Sequence, residues 1–222
     1  MNNQDNSFAA RLRGFGPSGI LTMVIILAGN FIVVPLSAFF VLIWTRLSRT
    51  PWREIGYARP KSWSRSFLTG IVFGIAFKLA MKALVMPLLG APAINQAYHY
   101  VAGNTAVLPR MIIIMIVVAG FGEETVFRGY LFERWRKLFG HGKGSTITML
   151  LLTSGFFAAA HYPDQGVPGM EQAFITGLVF GTIFAATGRL WVPIAAHAAF
   201  DLTALAIIYW KIESEIAHWL FK

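Results

Sequence analysis

Apolar residues run almost unbroken through six stretches of this chain, at about 20–44, 67–89, 111–132, 147–162, 173–187 and 190–210, and polar residues collect between them. A run of ~20 apolar residues with few charges has the length of one helical membrane crossing. The pattern therefore predicts an all-α, polytopic transmembrane helix bundle of about six spans. The fourth and fifth stretches are short for a full crossing, which calls for tilt, local bilayer thinning or a partly re-entrant path. The first is longer than a signal-peptide core and holds Asn30 and Pro35, so it reads as an uncleaved anchor. With short connections the spans use up the length, giving one membrane domain over 1–222 with no soluble domain beside it.

Composition agrees with the pattern: 56% of the 222 residues are hydrophobic and 13% charged, and the mean hydropathy is +0.59. The bilayer is the expected solvent. Nineteen Lys and Arg against ten Asp and Glu give a formal charge of +9, and its distribution reports topology. Arg46, Arg49, Arg53, Arg59, Lys61 and Arg65 mark a cytoplasmic loop, as do Arg134, Arg136, Lys137 and Lys143. The nearly uncharged stretch 90–110 and the stretch 162–171, with Asp164 and Glu171, suit the outer side. Alternation then places both termini outside, against the grain of Arg11 and Arg13. No basic stripe is interleaved with stacking aromatics, so no nucleic-acid partner is expected. The absence of cysteine excludes disulfides, thiolate catalysis and Cys-ligated metals. Gly70 with Gly74, and Gly177 with Gly181, carry the small-residue spacing that lets membrane helices approach closely.

Ionisable side chains inside spans are costly, so each needs a reason to be there. They are Lys78, Lys82, Glu123, Glu124, Arg128, Glu133, His161, His197 and Asp201. Lys78 and Lys82 share a helix face, from which they snorkel or line an interface. Glu123 and Glu124 are ~100° apart on a helix and cannot do the same job. Arg128 follows Glu124 by four residues, the favourable acid-first spacing for an ion pair, and lies ~140° around from Glu123. Glu124 thus gains a partner and Glu123 stays free. Desolvation raises the pKa of an unpaired carboxyl, which is how a glutamate is poised as a general base. Taken alone, the three residues fit a packing charge cluster equally well.

Two histidines on other spans change that balance. His161 follows Phe157 by four residues near the end of the fourth stretch, and His197 precedes Asp201 by four, so the aspartate is placed to hold one ring nitrogen and fix the tautomer. Glu123, His161, His197 and Asp201 on three helices can enclose one polar cavity, in which a glutamate base with a histidine partner activates water while the second histidine donates to the oxyanion.

These residues fall into three motifs that resemble those of the CPBP family, the type II CAAX prenyl endopeptidases and bacteriocin-processing relatives also called the ABI family. Glu123-Glu124-Thr125-Val126-Phe127-Arg128 resembles its EExxxR motif, Phe157-Ala158-Ala159-Ala160-His161 its FxxxH, and His197-Ala198-Ala199-Phe200-Asp201 its HxxxN, over a core of about 108–206. The resemblance implies an intramembrane glutamate protease in which Glu123 is the base, His161 assists the water, and His197 with residue 201 binds the oxyanion. Glu124, Arg128 and Phe157 support the site. It also implies a membrane-associated protein or peptide substrate, with CAAX or prenylated tails as the known type, and a bacterial cytoplasmic membrane as the location. Asp201 stands where the family usually has asparagine, and an ionised aspartate cannot donate to an oxyanion.

No metal or other cofactor is expected, since the HExxH signature is absent and water activation by glutamate needs none. A zinc-dependent enzyme using the same residues is the chemical alternative. A non-catalytic scaffold or self-immunity protein is the alternative from another class. A transporter with a proton path lacks the internal repeat common to that class. One expectation conflicts with the rest. If the third span enters at Met111, Glu123 lies ~18 Å deep, whereas His161 at the end of the fourth stretch lies close to the outer surface.

Overall fold

The computed structural model describes residues 3–32 and 34–221, except for the side chains of residues 3–6, 30–32, 34 and 35. The regular structure of the described residues is helical: α1 (Asn3–Arg13), α2 (Pro17–Ile32), α3 (Val34–Leu47), α4 (Trp63–Leu88), α5 (Thr105–Phe139), α6 (Lys143–Thr187), α7 (Trp191–Tyr209) and α8 (Glu213–Ala217), with a short 3₁₀ segment at Gln96–Val101. Among the described residues four helices, α4 to α7, are long and apolar enough to cross a membrane, or five if the bent pair Ser7–Arg13 and Pro17–Gly29 forms one span. Leu68 and Val72 on α4 and Ile113 and Val117 on α5 are exposed, as expected of faces solvated by lipid.

The predicted span 20–44 takes in Val33, which lies outside the described residues, as do the side chains of Asn30 and Pro35. On either side the chain doubles back. A side chain on Gly29 would sit 3.4 Å from the Ser37 backbone, and the Ser37 hydroxyl donates to the Ile26 carbonyl. In one continuous helix residues 29 and 37 would be ~12 Å apart. The expected straight crossing is therefore corrected to a folded-back pair, α2 against α3.

This pair also settles the N-terminal charge conflict. Arg134 on α5 donates to the Arg13 carbonyl at 2.8 Å, its guanidinium stacks over Trp44 at 4.5 Å, and Trp44 Nε1 donates to the Leu12 carbonyl at 3.1 Å. Lys137 pairs with Glu54 at 3.3 Å. Arg13 therefore sits at the same end as the basic loops, not opposite them.

Helix α6 is a hairpin in all but hydrogen bonding. Gly166 has φ 64 and ψ −163, and Pro163 and Pro168 flank it. Proline removes a helical donor and glycine accepts the left-handed backbone, which accounts for the break. The arms return side by side: a Cβ on Gly177 would lie 2.9 Å from Ser154, and one on Gly181 2.8 Å from Leu150. The fourth and fifth predicted spans are these two arms. Gln165 at the tip donates to the Tyr98 hydroxyl at 3.3 Å. The N-terminal arm thus continues past the predicted end at residue 162, and His161 falls level with Glu123. The expected depth mismatch came from misplaced span boundaries.

Helices α4 and α7 lie parallel, because Gly70 faces Ala195 and Gly74 faces Ala196 and Ala199. A Cβ on Gly74 would collide with the Ala196 carbonyl, and one on Gly70 would come within 2.6 Å of the Ala195 methyl. Small residues let the backbones meet here, as close helix packing in a membrane requires. Gly74→Val is expected to cost about 1–3 kcal/mol through overpacking. Thermal unfolding in nanodiscs should show a lowered midpoint, and an unchanged midpoint would mean that the two helices are not in contact.

Candidate active site

Three helices supply the predicted site residues. From Ile114 to Tyr130 helix α5 is widened to a π-type turn, a form often found at functional positions. Within it Glu124 is fully buried and Arg128 nearly so. Arg128 Nη1 donates to Glu124 Oε1 at 2.8 Å, and the guanidinium lies over the Phe157 ring at 4.8 Å. Phe157, in the first arm of α6, also meets Phe127 edge-on at 4.9 Å and the His161 ring at 4.5 Å. It is the apolar plate on which the ion pair and the imidazole are seated.

His161 Nδ1 lies 2.8 Å from the Phe157 carbonyl. A carbonyl only accepts, so Nδ1 carries the proton, and in the neutral ring Nε2 is left as an acceptor. His197 on α7 is oriented in the same way by a different group, its Nδ1 donating to Glu124 Oε1 at 2.7 Å. The i,i+4 spacing assigns that task to Asp201. Instead, Asp201 Oδ2 is 3.6 Å from His197 Nε2 and Glu123 Oε2 is 3.7 Å from the same atom. The expectation that Asp201 fixes the His197 tautomer is corrected: the i,i+4 spacing brings the two close, but the buried Glu124 oxygen makes the hydrogen bond.

Glu123, His161, His197 and Asp201 all line one cavity of about 130 Å³. Glu123 Oε2 is buried and has no hydrogen-bond partner among the described residues. Among those residues no three His, Asp or Glu side chains are grouped to hold a metal ion.

Several cavity residues were not assigned a site role from the sequence. Tyr98, Gln165 and Gln172 line it, and so does Lys78. Lys78 Nζ donates to Gln172 Oε1 at 2.8 Å. Burial, then the nearby Asp201 and Glu123 carboxylates, push the Tyr98 hydroxyl up to about 12, so it stays protonated. Tyr98 and Gln165 come from a loop and a hairpin tip, where helical spacing carries no signal. Lys78 stood out only as a charge in an apolar segment.

A polar cavity between apolar helices, lined by carboxylates and two oriented imidazoles, defines the chain as a multi-pass membrane helix bundle built around a cluster of ionisable groups. Residues 105–203 match the family described as type II CAAX prenyl endopeptidase, Rce1-like. This stretch, which contains all three motifs, is similar to that family. No curated protein and no solved structure matches the chain.

Proposed function

We propose that the protein is an intramembrane endopeptidase of the glutamate type, cleaving membrane-associated proteins or peptides, CAAX-type or prenylated tails among them, in a bacterial cytoplasmic membrane. The observation that carries this reading is the placement of Glu123. Among the described residues its Oε2 makes no hydrogen bond and has only His197 Nε2, at 3.7 Å, as an ion-pair neighbour, while the neighbouring Glu124 is bonded to both Arg128 and His197.

In the proposed reaction Glu123 takes a proton from a water held by the His161 Nε2 lone pair. The water oxygen adds to the scissile carbonyl carbon, and the carbonyl π electrons move to its oxygen. Protonated at Nε2, His197 donates to that oxyanion. As the C–N bond breaks, Glu123 passes its proton to the leaving amine. No step needs a metal. His197 Nδ1 is bonded to Glu124 and His161 Nδ1 to the Phe157 carbonyl, so both rings are oriented with Nε2 left for the reaction.

Wild type and Glu123→Ala in nanodiscs are compared on a quenched-peptide library, with and without a chelator. The expected result is chelator-resistant cleavage by wild type and none by the variant. Chelator sensitivity reversed by zinc would replace water activation by glutamate with a metal site. A folded wild type that cuts nothing would favour the scaffold or self-immunity reading, which the aspartate at position 201 supports.

A further inference from the structure

Three carboxylates converge around the cavity, Glu123, Glu124 and Asp201, and all lie among buried neighbours on α5 and α7. The Arg128 guanidinium is directed to Glu124. Of the remaining cationic side chains that line the cavity, apart from the histidines, there is Lys78 alone among the described residues. It projects from α4, which packs along α7 through Gly70 and Gly74, and only 6% of it is exposed. Burying an ammonium group without compensation is costly. Yet Lys78 forms no direct ion pair among the described residues. Its ammonium group donates to the neutral Gln172 amide at 2.8 Å and stands 4.8 Å over the ring of Phe200, the residue next to Asp201. Lys82, one turn on, is by contrast already paired with Glu213 at 3.6 Å.

The structure assigns Lys78 as the positioning counter-charge of Asp201, a couple across the α4–α7 contact that allows an acidic residue to occupy this place in the cavity. Gln172 and the Phe200 ring hold the ammonium, and an ammonium has three N–H donors, more than Gln172 alone takes up. The couple acts through the field in a desolvated space, where a charge several ångströms away is weakly screened. It fixes the cavity's balance: two fixed cations, Arg128 and Lys78, stand against the three carboxylates, and the histidines make up the difference.

This inference goes beyond the peptidase reading, and its test does not need cleavage. Melting temperatures in nanodiscs are measured for wild type, Lys78→Met, Asp201→Asn and the double variant. Lys78→Met is expected to lower the midpoint by on the order of 5 °C, because it leaves the Asp201 carboxylate, whose side chain is 22% exposed, without its counter-charge. The double variant should melt at or above Lys78→Met, since asparagine removes the charge that the lysine balanced, and Lys78→Arg should stay near wild type. Where wild type cleaves peptide, kcat/KM should follow the same pattern, with a loss on the order of 100-fold in Lys78→Met that largely vanishes in the Asp201→Asn background. Additive losses in the double variant, or a midpoint indifferent to Lys78→Met, would overturn the couple. If Lys78→Met does not fold, refolding of the chain by the added Asp201→Asn upholds it, and failure to refold overturns it. An inactive wild type that still shows the melting pattern would count against the peptidase reading alone.

Discussion

Glu123→Gln should lower kcat by about 10²–10⁴-fold, the range that positioned general bases contribute, and leave the melting temperature of the protein close to wild type. The amide has the shape of the carboxyl group but cannot accept a proton. The fold should not notice the change, because Glu123 Oε2 makes no hydrogen bond among the described residues and lies 3.7 Å from His197 Nε2. Glu124→Gln is the control that separates the neighbours. Its oxygen Oε1 accepts from Arg128 at 2.8 Å and from His197 at 2.7 Å, so the same chemical change there should reduce both activity and stability. Single-turnover cleavage and thermal unfolding on the same preparations check both. Equal kcat for Glu123→Gln and wild type would remove Glu123 from the reaction, and a large stability loss would make it a structural residue.

The division of labour between these two glutamates was legible in the sequence because it depends only on helical angle. A partner four residues away serves one of two adjacent side chains and misses the other. The widening of α5 did not upset that logic, since Arg128 still reaches Glu124. The small-residue contacts were legible for a similar reason: spacing of four puts Gly70 and Gly74 on one face, and that face meets α7. What could not be read was which groups from different helices would compete for one atom. Both Glu124 and Asp201 are plausible partners for His197 by chemistry. Asp201 is nearer in sequence, but Glu124 reaches Nδ1 from 73 positions away, and only the α5–α7 packing decides between them.

Span boundaries were the other blind spot, and the reason is physical. Hydropathy reports the solvent of a segment and not its direction, so a run that folds back scores like a run that crosses. The stretch 20–44 conceals a reversal between α2 and α3, and the polar residues 163–166 form the tip of a helical hairpin touching Tyr98, so that helical structure runs on past the predicted end of the fourth stretch. A single glycine with φ 64 at position 166 moves His161 from an apparent surface position to the cavity.

Arg128→Met should destabilise the protein by about 3–5 kcal/mol, the cost of removing one partner from a buried ion pair. Glu124 has no exposure and Arg128 only 2%, so no solvent takes over the lost role. The guanidinium does three things at once: it donates to Glu124 at 2.8 Å, approaches the Gly177 carbonyl at 3.4 Å across α6, and lies over the Phe157 ring. Methionine retains the apolar packing and loses all three. The double variant Arg128→Met with Glu124→Leu should recover part of the loss, because two apolar side chains in a buried site are often as stable as the pair they replace. It should remain inactive, since His197 Nδ1 would lose its acceptor and with it the ring orientation that aims Nε2 at the cavity. Recovered stability without recovered activity would show that the pair orients the imidazole as well as holding the helices, whereas recovery of both would confine Glu124 and Arg128 to packing.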